Sequence, residues 1–196
     1  MSARADHVAI AGRVRSGARV LDVGCGDGAL LDLLRERQGV DARGLELSSD
    51  LAGRALARGL SVIQGDADQD LDLFPDDSFD VAILSKTIQQ MRDPAYVLAQ
   101  LGRIAPEVLV SFRNFGRWSR RWHLFWSGHM PAPPPWHDAE ALHPCTASDM
   151  TRLASGLGLR TLAMAPVGQG EVGAFREKGL AWINWSADEV ILHLSR

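Results

Sequence analysis

Asp22, Gly24, Gly26 and Gly28 occupy alternate positions in the run Asp22-Val23-Gly24-Cys25-Gly26-Asp27-Gly28. Glycine adopts left-handed backbone and lets a ligand come close to main-chain N–H groups. A helix starting behind such a loop adds unpaired donors and a partial positive charge. That chemistry suits a polar or anionic ligand. A second station is Glu46. A carboxylate at the end of the second strand accepts hydrogen bonds from ribose hydroxyls and repels a 2′-phosphate. Gly65-Asp66-Ala67 makes a third station, where an acid or amide can meet the exocyclic amine of adenine. Each station also has a plainer reading. The glycine turn can be purely structural, Glu46 a solvated strand end, and Asp66 part of an acidic solvated loop with Asp68, Asp70 and Asp72. That acidic run lacks the glycine and closing Glu of a calcium loop.

These residues need strands to carry them. The apolar run 19–23 reads as a buried strand, and the amphipathic run 27–38, ended by Gly39, as a helix. A short helix over 3–15 precedes them. Further strands are expected at 42–47, 60–64, 79–84 and 107–112. Helices are expected over 50–58, with Ser48 as N-cap and Gly59 as stop, and over 95–103, with Asp93 capping and Pro94 at the first position. The stretch 65–78 reads as polar and acidic. Alternating strands and helices predict a parallel sheet covered on both faces, and ligands of such sheets lie at the carboxyl ends of strands. A helix over 147–155, capped by Thr146 or Ser148, follows later. Runs 159–165 and 189–194 predict a final antiparallel pair of strands, joined by irregular sequence with about one helical turn.

The 196 residues suffice for one domain with a sizeable core. A net charge of −3 gives no general attraction to nucleic acid or acidic membranes, and no apolar run reaches the length of a membrane span. The first residues carry no apolar signal core, so a cytoplasmic location is expected. Cys25 and Cys145 are therefore expected as reduced thiols.

Gly24-x-Gly26-x-x-Ala29 also fits a dinucleotide fingerprint, which leaves an NAD-linked oxidoreductase as a further reading. The tighter glycine spacing after Asp22 points elsewhere. The run 20–28, Glu46, Gly65-Asp66 and Phe79-Asp80-Val81-Ala82-Ile83-Leu84 together resemble class I methyltransferases that use S-adenosylmethionine (SAM). The resemblance implies a Rossmann-like α/β fold, with a mostly parallel seven-stranded sheet and an antiparallel C-terminal strand. It implies SAM or S-adenosylhomocysteine (SAH) as cofactor. The cofactor set would be Asp22, Gly24, Cys25, Gly26, Gly28, Glu46, Leu47, Gly65, Asp66, Ala67 and Ser85. The loop would face the amino-acid end, Glu46 the ribose and Asp66 the adenine.

A closer resemblance, over most of 19–165, is to the methionine biosynthesis protein MetW family. It is carried by Val62-Ile63-Gln64-Gly65-Asp66, the run 83–89, the run 110–118, Gly128-His129-Met130-Pro131, Trp136-His137-Asp138 and His143-Pro144-Cys145-Thr146. Lys86, Arg113 and Ala141 depart from the pattern, which has Gln, Pro and Asn there. The family implies an accessory subunit acting with homoserine O-acyltransferase, with SAM as a report on pathway output. The other reading is a working methyltransferase, for which His129, His137 and His143 are candidate bases and no catalytic residue is assigned.

The insertion 113–146 holds Trp118, Trp122, Trp126 and Trp136 with interleaved Arg117, Arg120, Arg121 and His123. Spacing by four puts the first three on one helical face. Such a face can bury itself over the sheet's edge, dock a partner or lid a substrate, or stack on nucleic acid. The short basic run and the acidic net charge disfavour the last, as does Ser85-Lys86-Thr87-Ile88 where base-acting amine methyltransferases carry Asn/Asp-Pro-Pro-aromatic. His137, Asp138, His143 and Cys145 match no paired zinc spacing, so no metal is expected.

Overall fold

The computed structural model describes residues 4–129 and 143–196. Five strands run parallel: β1 (Arg19–Val23), β2 (Asp41–Glu46), β3 (Ser61–Gln64), β4 (Val81–Ser85) and β5 (Glu107–Arg113). Three more follow: β6 (Arg160–Gly168), β7 (Glu171–Val172) and β8 (Glu189–Ser195). The sheet order is β3-β2-β1-β4-β5-β8-β6-β7. β8 inserts antiparallel between β5 and β6, so β6 runs with the first five strands. The antiparallel pairing of the last long strands is as expected. The two-residue β7 adds an eighth strand at the edge, too short to leave a periodic signal in the sequence.

The helices are α1 (Ala5–Ala11), α2 (Ala29–Gln38), α3 (Ser49–Ala57), α4 (Ala67–Asp70), α5 (Pro94–Ile104), α6 (Trp118–Ser127), α7 (Ala147–Gly156) and α8 (Leu180–Ser186). They cover both faces of the sheet, which is why the central strands are apolar throughout. On one face Leu21, Val23, Ala82, Leu84, Val108 and Val110 pack with Val97, Leu98 and Leu101 of α5 and Met150 and Ala154 of α7. On the other, Val20, Val81, Ile83, Leu109 and Ile191 pack with Ile10 of α1 and Leu30 and Leu34 of α2.

Caps set several helix starts. The Ser48 hydroxyl accepts from Leu51 N at 3.4 Å, and Asp93 accepts from Tyr96 N at 2.9 Å. Thr146 and Asp149 form a reciprocal capping box on α7. The stretch 65–78 is more ordered than its polarity predicts. It contains α4 and a 3-10 turn, Leu71–Leu73, anchored by the fully buried Leu71. α1 is shorter than expected, and α8 is longer than one turn.

After β5 the chain leaves the alternation. Asn114, fully buried, donates to Asn184 O at 2.8 Å and Ala187 O at 2.9 Å. Its Oδ1 accepts from Gly116 N at 2.9 Å and Ala147 N at 3.1 Å. One side chain thus joins β5, α7 and α8. α6 buries none of its residues. The reading in which its tryptophans cover the sheet's edge is therefore overturned: Trp118, Trp122 and Trp126 stand in solvent. Four-residue spacing places them on one side of a helix but says nothing of what that side meets. Trp136 and the rest of the insertion up to residue 142 lie outside the described residues.

Candidate functional site

The carboxyl ends of β1, β2, β3 and β4 meet around a cleft of about 500 Å³. Its walls are Gly24 and Gly26 of the loop, Leu45 to Ser48 at the end of β2, and Leu51 of α3. Gly65 to Asp68 after β3 and Thr87, Gln90 and Met91 after β4 complete it. Of the residues expected from sequence, Gly24, Gly26, Glu46, Leu47, Gly65, Asp66 and Ala67 come together here.

The loop is tied down from within. Gly24 N and Cys25 N both donate to Leu45 O, at 2.7 and 3.3 Å, and Gly28 N donates to Cys25 O at 3.0 Å. Gly26 N donates to Glu46 Oε2 at 2.8 Å, while Ser48 N donates to the other carboxylate oxygen at 2.9 Å. Even Ala29 N, in the first turn of α2, is taken by Asp27 at 3.2 Å. The expectation of free N–H donors waiting for an anion is thereby corrected for Gly24, Cys25, Gly26, Gly28 and Ala29, whose donors are taken by the chain's own carbonyls and carboxylates. What the loop offers is closeness. Gly24 has φ 71°, and a Cβ there would sit 2.7 Å from the Thr87 side chain. A Cβ on Gly26 would meet nothing and would stand where a ligand approaches. Gly28 answers to packing instead: a side chain there would strike Leu60 of the strand-three region.

Carboxylates dominate the electrostatics. Asp22 is buried beneath the loop with Oδ1 unpartnered. Burial, with a smaller contribution from the Glu46 charge, pushes its carboxyl up to about 8. Asp66 caps α4: Oδ1 accepts from Asp68 N at 3.0 Å and Oδ2 from the Gln69 side chain at 2.8 Å. Asp68 accepts from Arg92 N and Asp93 N, each at 3.0 Å, and Asp70 from Asp66 N at 2.7 Å. Asp66 and Asp68 are therefore part of the wall and Asp70 braces it, while Asp72 is exposed. Asp66, Asp68 and Asp70 serve backbone donors in nearby turns.

Other expected residues are placed elsewhere. Cys25 turns its side chain into a cluster with Leu31, Ala55 and Leu60, and burial pushes its thiol up to about 12. Ser85 faces Ser111 at 3.2 Å. Cys145 packs beside Gln89, and burial raises its thiol to about 11. Both thiols are free and protonated at neutral pH. His129 and His143 are exposed and away from the cleft wall, whereas His137, Asp138 and Ala141 lie outside the described residues.

Sequence reading missed the turn after β4. Thr87 packs on Gly24, and the next residues form a 3-10 turn, Ile88–Gln90, leading to Met91. No glycine, repeat or charge pattern marks this segment, and its place follows only from β4 pairing with β1. Its first residue, Lys86, has a left-handed backbone (φ 62°), uncommon for a non-glycine and concentrated at functional sites. Its ammonium lies 2.7 Å from Glu189 and 3.5 Å from Asp6, lining a separate cleft of about 430 Å³. Gln89, buried in that turn, accepts from Arg113 N and donates to Arg113 O, both at 3.0 Å. His143 N donates to Gln89 O at 3.0 Å. The cleft wall thus grips both ends of the insertion.

Solved structures share this architecture. A methyltransferase of Haloferax volcanii, in complex with the activator Trm112, superposes with a TM-score of 0.70 at 19% identity, covering 97% of this chain and 89% of that one. A SAM-dependent methyltransferase of Thermotoga maritima gives 0.70 at 17% identity, with 97% and 87% covered. Fold and cleft together define an α/β protein with the architecture of SAM-dependent methyltransferases. A family profile for methionine biosynthesis protein MetW matches residues 4–194, taking in α1 and the tail beyond Ala165 as well as the blocks recognised from sequence. The chain belongs to the MetW family. The bifunctional methionine biosynthesis protein MetXA/MetW of Rhodopirellula baltica is 29% identical over 167 residues, covering 79% of this chain and 27% of its own length. The ubiquinone biosynthesis O-methyltransferase of Methylococcus capsulatus is 36% identical over 118 residues, covering 57% and 47%. The chain thus spans about a quarter and about half of these relatives. No described helix is long and apolar enough to cross a membrane.

Proposed function

We propose that this chain is a SAM- and SAH-binding subunit of methionine biosynthesis that acts with homoserine O-acyltransferase. One observation carries the ligand half. The N–H groups of all three loop glycines are already bonded, while carboxyl groups surround the space. Such a cleft disfavours a pyrophosphate and favours a ligand bearing hydroxyls and positive charge, which SAM is. Glu46 would accept from the ribose hydroxyls on lone pairs left free by Gly26 and Ser48. Leu47, Leu51 and Met91 offer apolar walls for a flat base beside Asp66. The buried, unpartnered Asp22 fits a cationic amino group nearby. The partner half is supported by MetW membership and by the relative that joins MetXA and MetW in one chain.

Calorimetry tests the ligand. The wild type is expected to bind SAM and SAH. Glu46→Ala is expected to weaken both at least tenfold while keeping a cooperative thermal transition. Silence from both ligands with the wild type defeats this half. The partner half is tested by co-purification and by acyl transfer assayed with and without the chain. No complex and no change in activity sinks it.

A second reading, a methyltransferase acting on a small-molecule acceptor, draws on the Methylococcus relative and on a neighbouring cleft. About 550 Å³ lies behind the 88–91 turn, lined by Ile88, Gln89, His143, Cys145 and Met150. His143 would be the base there. Transfer of labelled methyl from SAM to a cellular acceptor supports this reading.

A further inference from the structure

α6 has no buried residue, yet it carries three large aromatics that touch one another. The Trp122 and Trp126 ring centroids are 5.7 Å apart, Trp122 and Phe125 5.9 Å, and Phe125 and Trp126 5.7 Å. These rings are 58, 70 and 75% exposed for Trp122, Trp126 and Phe125. An isolated ten-residue helix is marginal in water, and packing usually supplies its stability. Here the described contacts hold only the first half. Arg117 pairs with Asp188, and Arg121 donates to Gly116 O at 2.6 Å. The Arg121 guanidinium also lies 5.4 Å from the Trp185 ring of α8. That contact joins α6 to a second exposed aromatic face, because Trp182 and Trp185 of α8 are 66 and 47% exposed.

With Trp118, half exposed at the start of α6, six aromatic side chains on two touching helices reach solvent. At roughly 200 Å² per side chain, they present on the order of 700 Å² of apolar surface. That summed exposure approaches the ~800 Å² each partner contributes to a standard interface. We infer that the α6/α8 aromatic face is the surface that docks the acyltransferase. This rests on the subunit reading above. The chemistry asks for an apolar groove on the partner, since the exposed area of α6 and α8 is carried by aromatic rings. A lipid surface fits less well. The arginines that would meet headgroups are engaged by Asp188, the Gly116 carbonyl and the Phe115 and Trp185 rings.

The test co-expresses the full chain with the homoserine O-acyltransferase of the same organism and measures complex mass by light scattering on a sizing column. Phe125→Asp with Trp126→Asp is expected to weaken the complex at least tenfold, with the melting temperature and SAM binding unchanged. Leu56→Asp, on α3 at the far edge of the sheet, is expected to leave the complex intact. If the wild-type complex forms and the α6 variant binds equally well, the docking surface is elsewhere while the subunit reading stands. If the wild type forms no complex, the subunit reading itself fails, and the docking inference with it. A wild-type homodimer dissolved by the same variant, or its binding to anionic vesicles abolished by it, would also overturn the docking assignment.

Discussion

Asp22 shows what burial does to one residue. Its carboxyl is held up to about 8 by burial first and by Glu46 second. Between the ordinary carboxyl value near 4 and about 8, the folded chain binds more protons than the unfolded chain. Stability contributed at this site is therefore complete below about pH 4 and lost as pH rises toward 8, by at most about 1.4 kcal/mol per pH unit. Asp22→Asn keeps the shape and removes the titration. It should melt close to the wild type at pH 4–5 and clearly above it at pH 8, as thermal melts across pH would show. Parallel curves for the two proteins would mean that Asp22 is already ionised when folded. If the amino group of SAM neutralises Asp22, binding at pH 7 should release close to one proton from the wild type and fewer from the variant. Calorimetry in buffers of different ionisation enthalpy reads that difference.

At the scale of elements, buried side-chain amides fasten what the strands do not. Asn114 satisfies two carbonyls of the α8 region and two N–H groups, one of them at the start of α7. Asn184 reinforces it by accepting from Ala147 N at 3.0 Å and donating to Ser148 Oγ at 2.9 Å. Gly116 must be glycine, since a Cβ would press on both amide oxygens. Leaving a buried polar group unpaired costs about 1–3 kcal/mol. Asn114→Ala is therefore expected to cost on the order of 4 kcal/mol. Urea unfolding should show the loss, and amide exchange should speed up in α7 and α8 before β1 and β4. A cost below about 1 kcal/mol would show that water replaces the amide without penalty.

Across the whole molecule, one topological event closes the fold. β8 enters between β5 and β6 and buries Val190, Leu192 and Leu194 against the α5–α7 face. Without residues 189–196, two strand edges and that apolar face would be open to water. A chain ending at residue 188 should lack a cooperative thermal transition, and a two-state melt near that of the full chain would contradict the dependence. The same parallel arrangement brings Gly24, Glu46, Gly65 and Thr87 to one edge of the sheet, though they are spread over more than sixty positions. No one of these segments forms a site alone. The cleft exists because four strands end at the same level.

The sequence by itself determined what is encoded within a few residues. Glycines with left-handed backbone at 24, 26 and 28, the caps Ser48 and Asp93, and the apolar strands all depend on near neighbours and were legible, while the cap of α7 was narrowed to Thr146 or Ser148. The three stations were legible as well, because parallel strands put their ends on one side. Only tertiary structure decided which side chains face the cleft. Cys25 and Ser85 turn away, while Thr87 and Met91 turn in. It also decided that the loop's donors are spent on Leu45 and Glu46, that Asp22 is left unpaired, and that α6 keeps its tryptophans in water. Those outcomes depend on groups far along the chain, whose approach is set by strand pairing and burial, and local residue patterns carry no record of them.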